Sequence, residues 1–117
     1  MLIIPRSTRF LEFVLLPSFE RSAEGLFSED DIRELERTLL ENPRAGPVMR
    51  GTGGVRKVRA ATEGRGKSGS ARVVYLYVEA REKIYFLLCF PKNEQANLTP
   101  EQTRRIRMLV AQLEAED

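Results

Sequence analysis

Between Arg44 and Arg72 stand eight basic residues: Arg44, Arg50, Arg56, Lys57, Arg59, Arg65, Lys67 and Arg72. Glu63 is the single acid among them. This segment carries +7 and the rest of the 117-residue chain carries −5, so the net charge of +2 hides a strong asymmetry. Asymmetry of this kind is the usual footprint of a polyanion-binding surface. Arginine suits phosphate because it is permanently charged and can donate two N–H groups to one anion. Six glycines are interleaved with the cations, from Gly51, Gly53 and Gly54 to Gly64, Gly66 and Gly69. A backbone without Cβ can approach a phosphate closely and offer its N–H groups as a concave nest.

Two nucleotide motifs fail in this stretch. Gly66-Lys67-Ser68 ends like a P-loop, but Ala61 stands where the motif needs its first glycine, and a strand pattern follows where it needs a helix. Gly51 to Arg56 misses the last glycine of the dinucleotide fingerprint. The chain has no histidine, which excludes a Ser-His-Asp triad and histidine metal sites. Its one cysteine, Cys89, excludes an internal disulfide and a zinc-cysteine cluster, and lies in an apolar run that reads as core. Neither a signal peptide nor a membrane span is expected, since the apolar runs are too short. A cytoplasmic protein of one domain, residues 1–117, is the expectation.

The elements that must hold the cations can be read from periodicity and punctuation. Arg9 to Leu16 reads as a strand that is apolar on both faces and stopped by Pro17. Ser18 to Phe27 is ambiguous, with a short helix interrupted by Gly25. Ser28 then caps a helix, with Asp31 at the capping-box position and Glu29 and Asp30 in the first turn. Ile32, Leu35, Leu39 and Leu40 give it one apolar stripe, and Asn42-Pro43 ends it. Val55 to Ala61 reads as a strand, with Lys57 and Arg59 on one face and Arg56, Val58 and Ala60 on the other. Thr62 to Ser70 is a glycine-rich, charged connection that holds Arg65 and Lys67. Arg72 to Val78 and Lys83 to Phe90 are strands apolar on both faces, which places them mid-sheet. Glu79 to Glu82 joins them, and Pro91 closes the second. Thr99, Pro100 and Gln102 open a last helix, whose stripe is Ile106, Leu109, Val110 and Leu113.

Short connections between the last three strands require an antiparallel meander. The fold class is therefore α+β, a small and mainly antiparallel sheet covered by helices. Arg72 opens an apolar strand on the face of Val74 and Leu76, at the rim of the core, where a partly buried cation needs an anion. Lys57, Arg59, Arg65 and Lys67 also fit a solvated strand face and an exposed loop, since surface charges are the norm.

The run Gly51-Thr-Gly-Gly-Val-Arg-Lys-Val-Arg59, then Gly64-Arg-Gly-Lys-Ser-Gly69, Arg72-Val-Val-Tyr75, Leu87 to Glu94 and Leu98-Thr99 resembles the RelE/HigB toxins of bacterial type II toxin–antitoxin pairs. The resemblance follows the same element order. It implies a compact sheet-and-helix toxin fold, ribosome-dependent cleavage of mRNA and neutralisation by a cognate antitoxin, through which alone operator DNA would be met. By position it makes Lys57 and Arg59 the basic pair of the second strand and Arg72 the phosphate-binding arginine. Lys92 falls where the family often places a basic residue. Phe90 stands where the family often has tyrosine, and no tyrosine follows Tyr85.

A site of this kind would use the RNA's own 2′-hydroxyl as nucleophile. That route needs a base, donors for the phosphorane and an acid for the 5′ oxygen. Arg72 would stabilise the phosphate, Lys57 or Lys67 would be the base with a sheet tyrosine as the alternative, Lys92 would assist the leaving oxygen, and Arg59 would belong to the same catalytic set. Clustered cations lower a lysine's pKa, which a lysine base requires. Arg50, Arg56 and Arg65 would hold neighbouring RNA. No cofactor is needed. A non-catalytic basic binding module, or a ParE-type toxin acting on gyrase, would share much of this pattern.

Overall fold

The structure, a computed structural model, describes residues 10–62, 70–92 and 98–116. Along the chain run β1 (Glu12–Leu15), α1 (Pro17–Ala23), α2 (Glu29–Glu41), β2 (Arg56–Ala61), β3 (Ser70–Val78), β4 (Lys83–Pro91) and α3 (Pro100–Ala115). Glu79–Arg81 forms a single 3₁₀ turn between β3 and β4. It closes on Glu82, whose φ of 53° lies in the left-handed region. The fold is α+β, as composition and periodicity indicated.

The four strands form one sheet in the order β1-β4-β3-β2. β2, β3 and β4 are the antiparallel meander, and β1 joins it in parallel beside β4. β3 and β4 lie in the middle, because both of their faces are apolar and both need cover. The β3–β4 register slips by one, with Val74 opposite Leu88 and Tyr75 opposite Phe86. Leu87 is the extra residue, so Leu87 and Leu88 both face the same core. Ser18 Oγ donates to the Leu87 carbonyl at 2.5 Å, satisfying a group the bulge would otherwise strand.

Two cores result, one on each side of the sheet. On the first side Phe19 and Ala23 of α1 and Leu35 and Leu39 of α2 pack on Val58, Val73, Tyr75, Ile84 and Phe86. The Phe19 and Phe86 rings meet at 5.2 Å between centroids in a tilted arrangement. On the other side Ile106, Val110 and Leu113 of α3 pack on Val74, Leu76, Tyr85, Leu87 and Phe90. Each such Leu, Ile or Phe contributes about 1.5–3 kcal/mol by leaving water.

Helix ends follow the sequence closely. Ser28 Oγ accepts from Asp31 N while Asp31 accepts from Ser28 N, and Thr99 and Gln102 repeat the arrangement on α3. The ambiguous stretch after β1 is helical from Pro17 onward. Proline suits the first helical position because its missing N–H would have had no partner there. Pro17 thus starts a helix as well as ending a strand. β1 is shorter than the apolar run suggested, and β4 extends through Pro91, which stands opposite Ala71.

Candidate nucleic-acid interface

Strand β2 divides its cations by alternation. Lys57 and Arg59 take the face that α3 covers, and Arg56 takes the face of α1 and α2, where its neighbour across the strands is Tyr75. Arg72 of β3 lies directly opposite Arg59, and Lys57 lies opposite Val74. Side chains directly opposite on one face stand about 4.5–5.5 Å apart at Cβ, and like charges there destabilise a sheet. Arg59 and Arg72 make no ion pair among the described residues. Arg72 Nη1 is buried and meets no hydrogen-bond acceptor among them. A buried donor on a cation is costly without an acceptor, so this arrangement favours an incoming anion.

α3 frames the same region. Thr103 of its first turn and Leu98 just before the helix line a recess of about 310 Å³ together with Met49, Arg50 and Lys57. The N-terminal end of the helix, the positive end of its dipole, therefore lies beside Lys57. Arg81 fixes the far end, with Nη1 donating to Leu113 O and Nη2 to Glu114 O, both at 2.6 Å. A guanidinium on the last carbonyls satisfies orphan acceptors and complements the dipole. Arg107 donates to Gly51 O at 3.2 Å, tying the helix to the glycine turn.

That turn is a packing device. Thr52 is fully buried, and its Oγ1 donates to Met49 O at 2.7 Å while accepting from Val55 N at 3.2 Å and Gly54 N at 3.4 Å. Of the glycine N–H groups expected to form a phosphate nest, that of Gly54 is thus engaged by the threonine, while Gly64, Gly66 and Gly69 lie outside the described residues. Gly53, at φ +88°, would place a Cβ 3.1 Å from Val110. Glycine is required here for close approach to α3 rather than for an anion.

The preceding loop guards the edge of β2. Lys57 N donates to Pro47 O at 3.1 Å and Met49 N to Val55 O at 2.8 Å. Gly46 has φ +82°, and a Cβ on it would stand 2.1 Å from Lys57 O. Arg56 Nη1 donates to Gly46 O at 2.8 Å, so this arginine braces the loop from the opposite face. Tyr75, wholly buried, directs its hydroxyl at Pro43 O and Ala45 O, 2.9 and 2.6 Å away. Burial pushes that hydroxyl up to about 12, with Arg56 nearby pulling it down. Tyr75 is therefore a neutral donor that fastens the loop.

The residues singled out from the sequence are thus partly brought together. Lys57, Arg59 and Arg72 share one face, and Arg50 borders it. Lys92 is exposed at the end of β4, its N–H 3.4 Å from Ser70 O and hence beside the start of β3. Arg56 stands apart on the other face. Arg44 also serves the other face, ion-paired to Glu79 with its guanidinium 5.3 Å from the centre of the Tyr77 ring. Arg65 and Lys67 lie outside the described residues. Arg59 also lines a recess with Asp30 and Glu34 of α2 at the open edge of the sheet. Sequence reading missed Thr103, Leu98 and Met49, and the bracing roles of Arg81 and Arg107. The small residues Gly51 and Gly53 were the signal for a helix packed closely on the turn.

Burial also lifts the Cys89 thiol above its ordinary value, while a bond with Ser22 acts the other way. Cys89 packs in the core with Phe19 and Phe86, as its apolar run indicated. No helix among the described residues is long and apolar enough to cross a membrane. A family model described as the RelE toxin of the RelE/RelB toxin–antitoxin system matches residues 28–117.

Proposed function

Because the chain belongs to the RelE toxin family, we propose that it is the toxin of a toxin–antitoxin pair and cleaves mRNA on the ribosome. The observation that carries the chemistry is Arg72: its guanidinium is held at the rim of the core, opposite Arg59, with a buried Nη1 that meets no acceptor among the described residues. A scissile phosphate is the ligand that such a donor fits.

Cleavage then runs through the substrate's own 2′-hydroxyl. Lys57 or Lys67 takes the 2′ proton, and the 2′ oxygen bonds to phosphorus. Arg72 stabilises the phosphorane with Arg59 beside it, and the 5′ oxygen departs with a proton assisted by Lys92. Arg50 and Arg65 hold adjacent phosphates. Arg56 acts at one remove, since the loop it braces is hydrogen-bonded to Lys57. Without histidine, proton transfer rests on lysine, and the ribosome supplies the orientation that raises an otherwise slow reaction. The toxin works in the cytoplasm and is held by a cognate antitoxin, through which alone it meets operator DNA.

Mapping RNA ends after induced expression tests the reading. Growth arrest with cuts inside translated codons, leaving a cyclic or 3′ phosphate and a 5′-hydroxyl, is expected. A 5′-phosphate would identify water as the nucleophile and overturn the mechanism.

A further inference from the structure

The recess beside Lys57 differs in chemistry from the rest of the basic face. Its volume of about 310 Å³ lies at the foot of the range of about 300–1,000 Å³ that ligand pockets span, which is room for one planar ring system rather than a chain segment. Met49 and Leu98 give it apolar walls, and Val48, which lines it too, is 53 % exposed. Walls of this kind do nothing for a phosphate, but they suit the face of a ring. The polar groups are few: Thr103 on α3, Arg50 on the loop and Lys57 on β2. Thr103 turns its methyl to the glycine turn, 3.5 Å from where a Cβ on Gly51 would stand. Its hydroxyl makes no hydrogen bond among the described residues. An apolar slot with one uncommitted hydroxyl and two cations at its border fits a ring held by its faces and read at its edge. Lys57 belongs both to this recess and to the strand face of Arg59 and Arg72. Two residues of strand, about 7 Å, separate Lys57 from Arg59, close to one nucleotide of an extended RNA strand.

We propose that this recess takes one unstacked nucleobase of the mRNA, from the nucleotide next to the scissile phosphate, with its faces on Met49 and Leu98, its phosphate on Arg50 and its edge on the Thr103 hydroxyl. The inference rests on the mRNA-cleavage reading above and deepens it, by giving this chain a residue that chooses where it cuts. Single-stranded RNA is read in this manner because a splayed base exposes both a ring face and a hydrogen-bonding edge. A hydroxyl donates and accepts and rotates to suit its partner, so the preference is graded rather than absolute. Arg50 and Lys57 at the border select an anionic backbone, and the recess continues the face that carries Arg72. That continuity favours RNA over a polypeptide as the occupant.

The test compares wild type with Thr103→Val, which removes the hydroxyl and keeps the shape. Both act on ribosomes programmed with a pool of mRNAs randomised at one codon, and the cut ends are sequenced. Wild type should favour one base at one position beside the cut. In Thr103→Val that preference should fall about two- to tenfold, the worth of one hydrogen bond. The disfavoured codons should be cut at their former rate, and the melting temperature should hold. Leu98→Ala widens the slot and should shift the preference at the same position towards purines, which covers the case of a base whose edge lies away from Thr103. An unchanged base distribution in both variants overturns the proposal. So does an equal loss of rate on every codon, which is what damaged packing around Lys57 would give. Weaker binding to ribosomes with the distribution unchanged would assign the recess to the ribosome itself and overturn the proposal too, as would wild-type cutting with no base preference at any position. A wild type that cuts no mRNA on the ribosome would sink the cleavage reading and this inference with it, whereas every outcome above leaves that reading standing.

Discussion

Arg56 and Arg59 stand three residues apart on one strand, yet the strand arginines of the two faces are used in opposite ways. On the face of α1 and α2, Arg56 is bonded to Gly46 O, and Arg44 pairs with Glu79. On the face of α3, Arg59 and Arg72 oppose each other, and Arg72 Nη1 is buried without an acceptor among the described residues. Satisfied cations hold a structure together, whereas an unsatisfied one lowers stability and waits for an anion. A basic residue in this sequence is therefore informative only together with the face it occupies.

Arg72→Ala breaks this comparison most sharply. Cleavage should fall about 10²- to 10³-fold through loss of a transition-state donor. The melting temperature should hold or rise, because an uncompensated buried donor is removed. Arg72→Lys should restore only part of the rate, since a point charge does not replace a fork. Single-turnover cleavage and thermal denaturation on the same samples check both halves. A large drop in melting temperature would mean that Arg72 is structural.

Gly46→Ala attacks the satisfied face. A Cβ would sit 2.1 Å from Lys57 O at a φ of +82°. Strain and overpacking together should remove about 3 kcal/mol, measurable by urea denaturation. Cleavage should suffer as well, because the displaced loop is bonded to Lys57.

Tyr75→Phe sharpens the comparison through pH. It should remove about 1–2 kcal/mol at neutral pH by leaving two loop carbonyls without their donor. The folded hydroxyl titrates near 12, above the value of about 10 for a free tyrosine. Its contribution is therefore intact below about pH 10 and lost as pH rises toward 12, at up to about 1.4 kcal/mol per pH unit. Unfolding free energies of wild type and variant should converge over that window. Parallel curves would show that Tyr75 is not the titrating group.

The smallest expected effect is that of Arg56→Ala. Loss of one exposed hydrogen bond to Gly46 should lower stability by about 1 kcal/mol or less. Cleavage should change far less than in Arg72→Ala. Equal losses of cleavage from the two variants would erase the distinction between the faces.

Much of this protein was legible in its residues. The capping boxes at Ser28 and Thr99, the apolar runs of β3 and β4, and the period of two that separates Lys57 and Arg59 from Arg56 all follow from local sterics and hydrogen bonding. So does the rim position of Arg72, because alternation ties it to Val74 and Leu76. Local rules do not reach further than their neighbours along the chain. The parallel pairing of β1 with β4, the seating of Gly53 against Val110, the clamp of Arg81 on the end of α3 and the cross-strand meeting of Arg59 with Arg72 each join residues distant in sequence. Long-range packing of two cores on one sheet selected them. The same packing seats Gly51 and Gly53 of the expected anion nest against α3, and a buried threonine hydroxyl takes the N–H of Gly54.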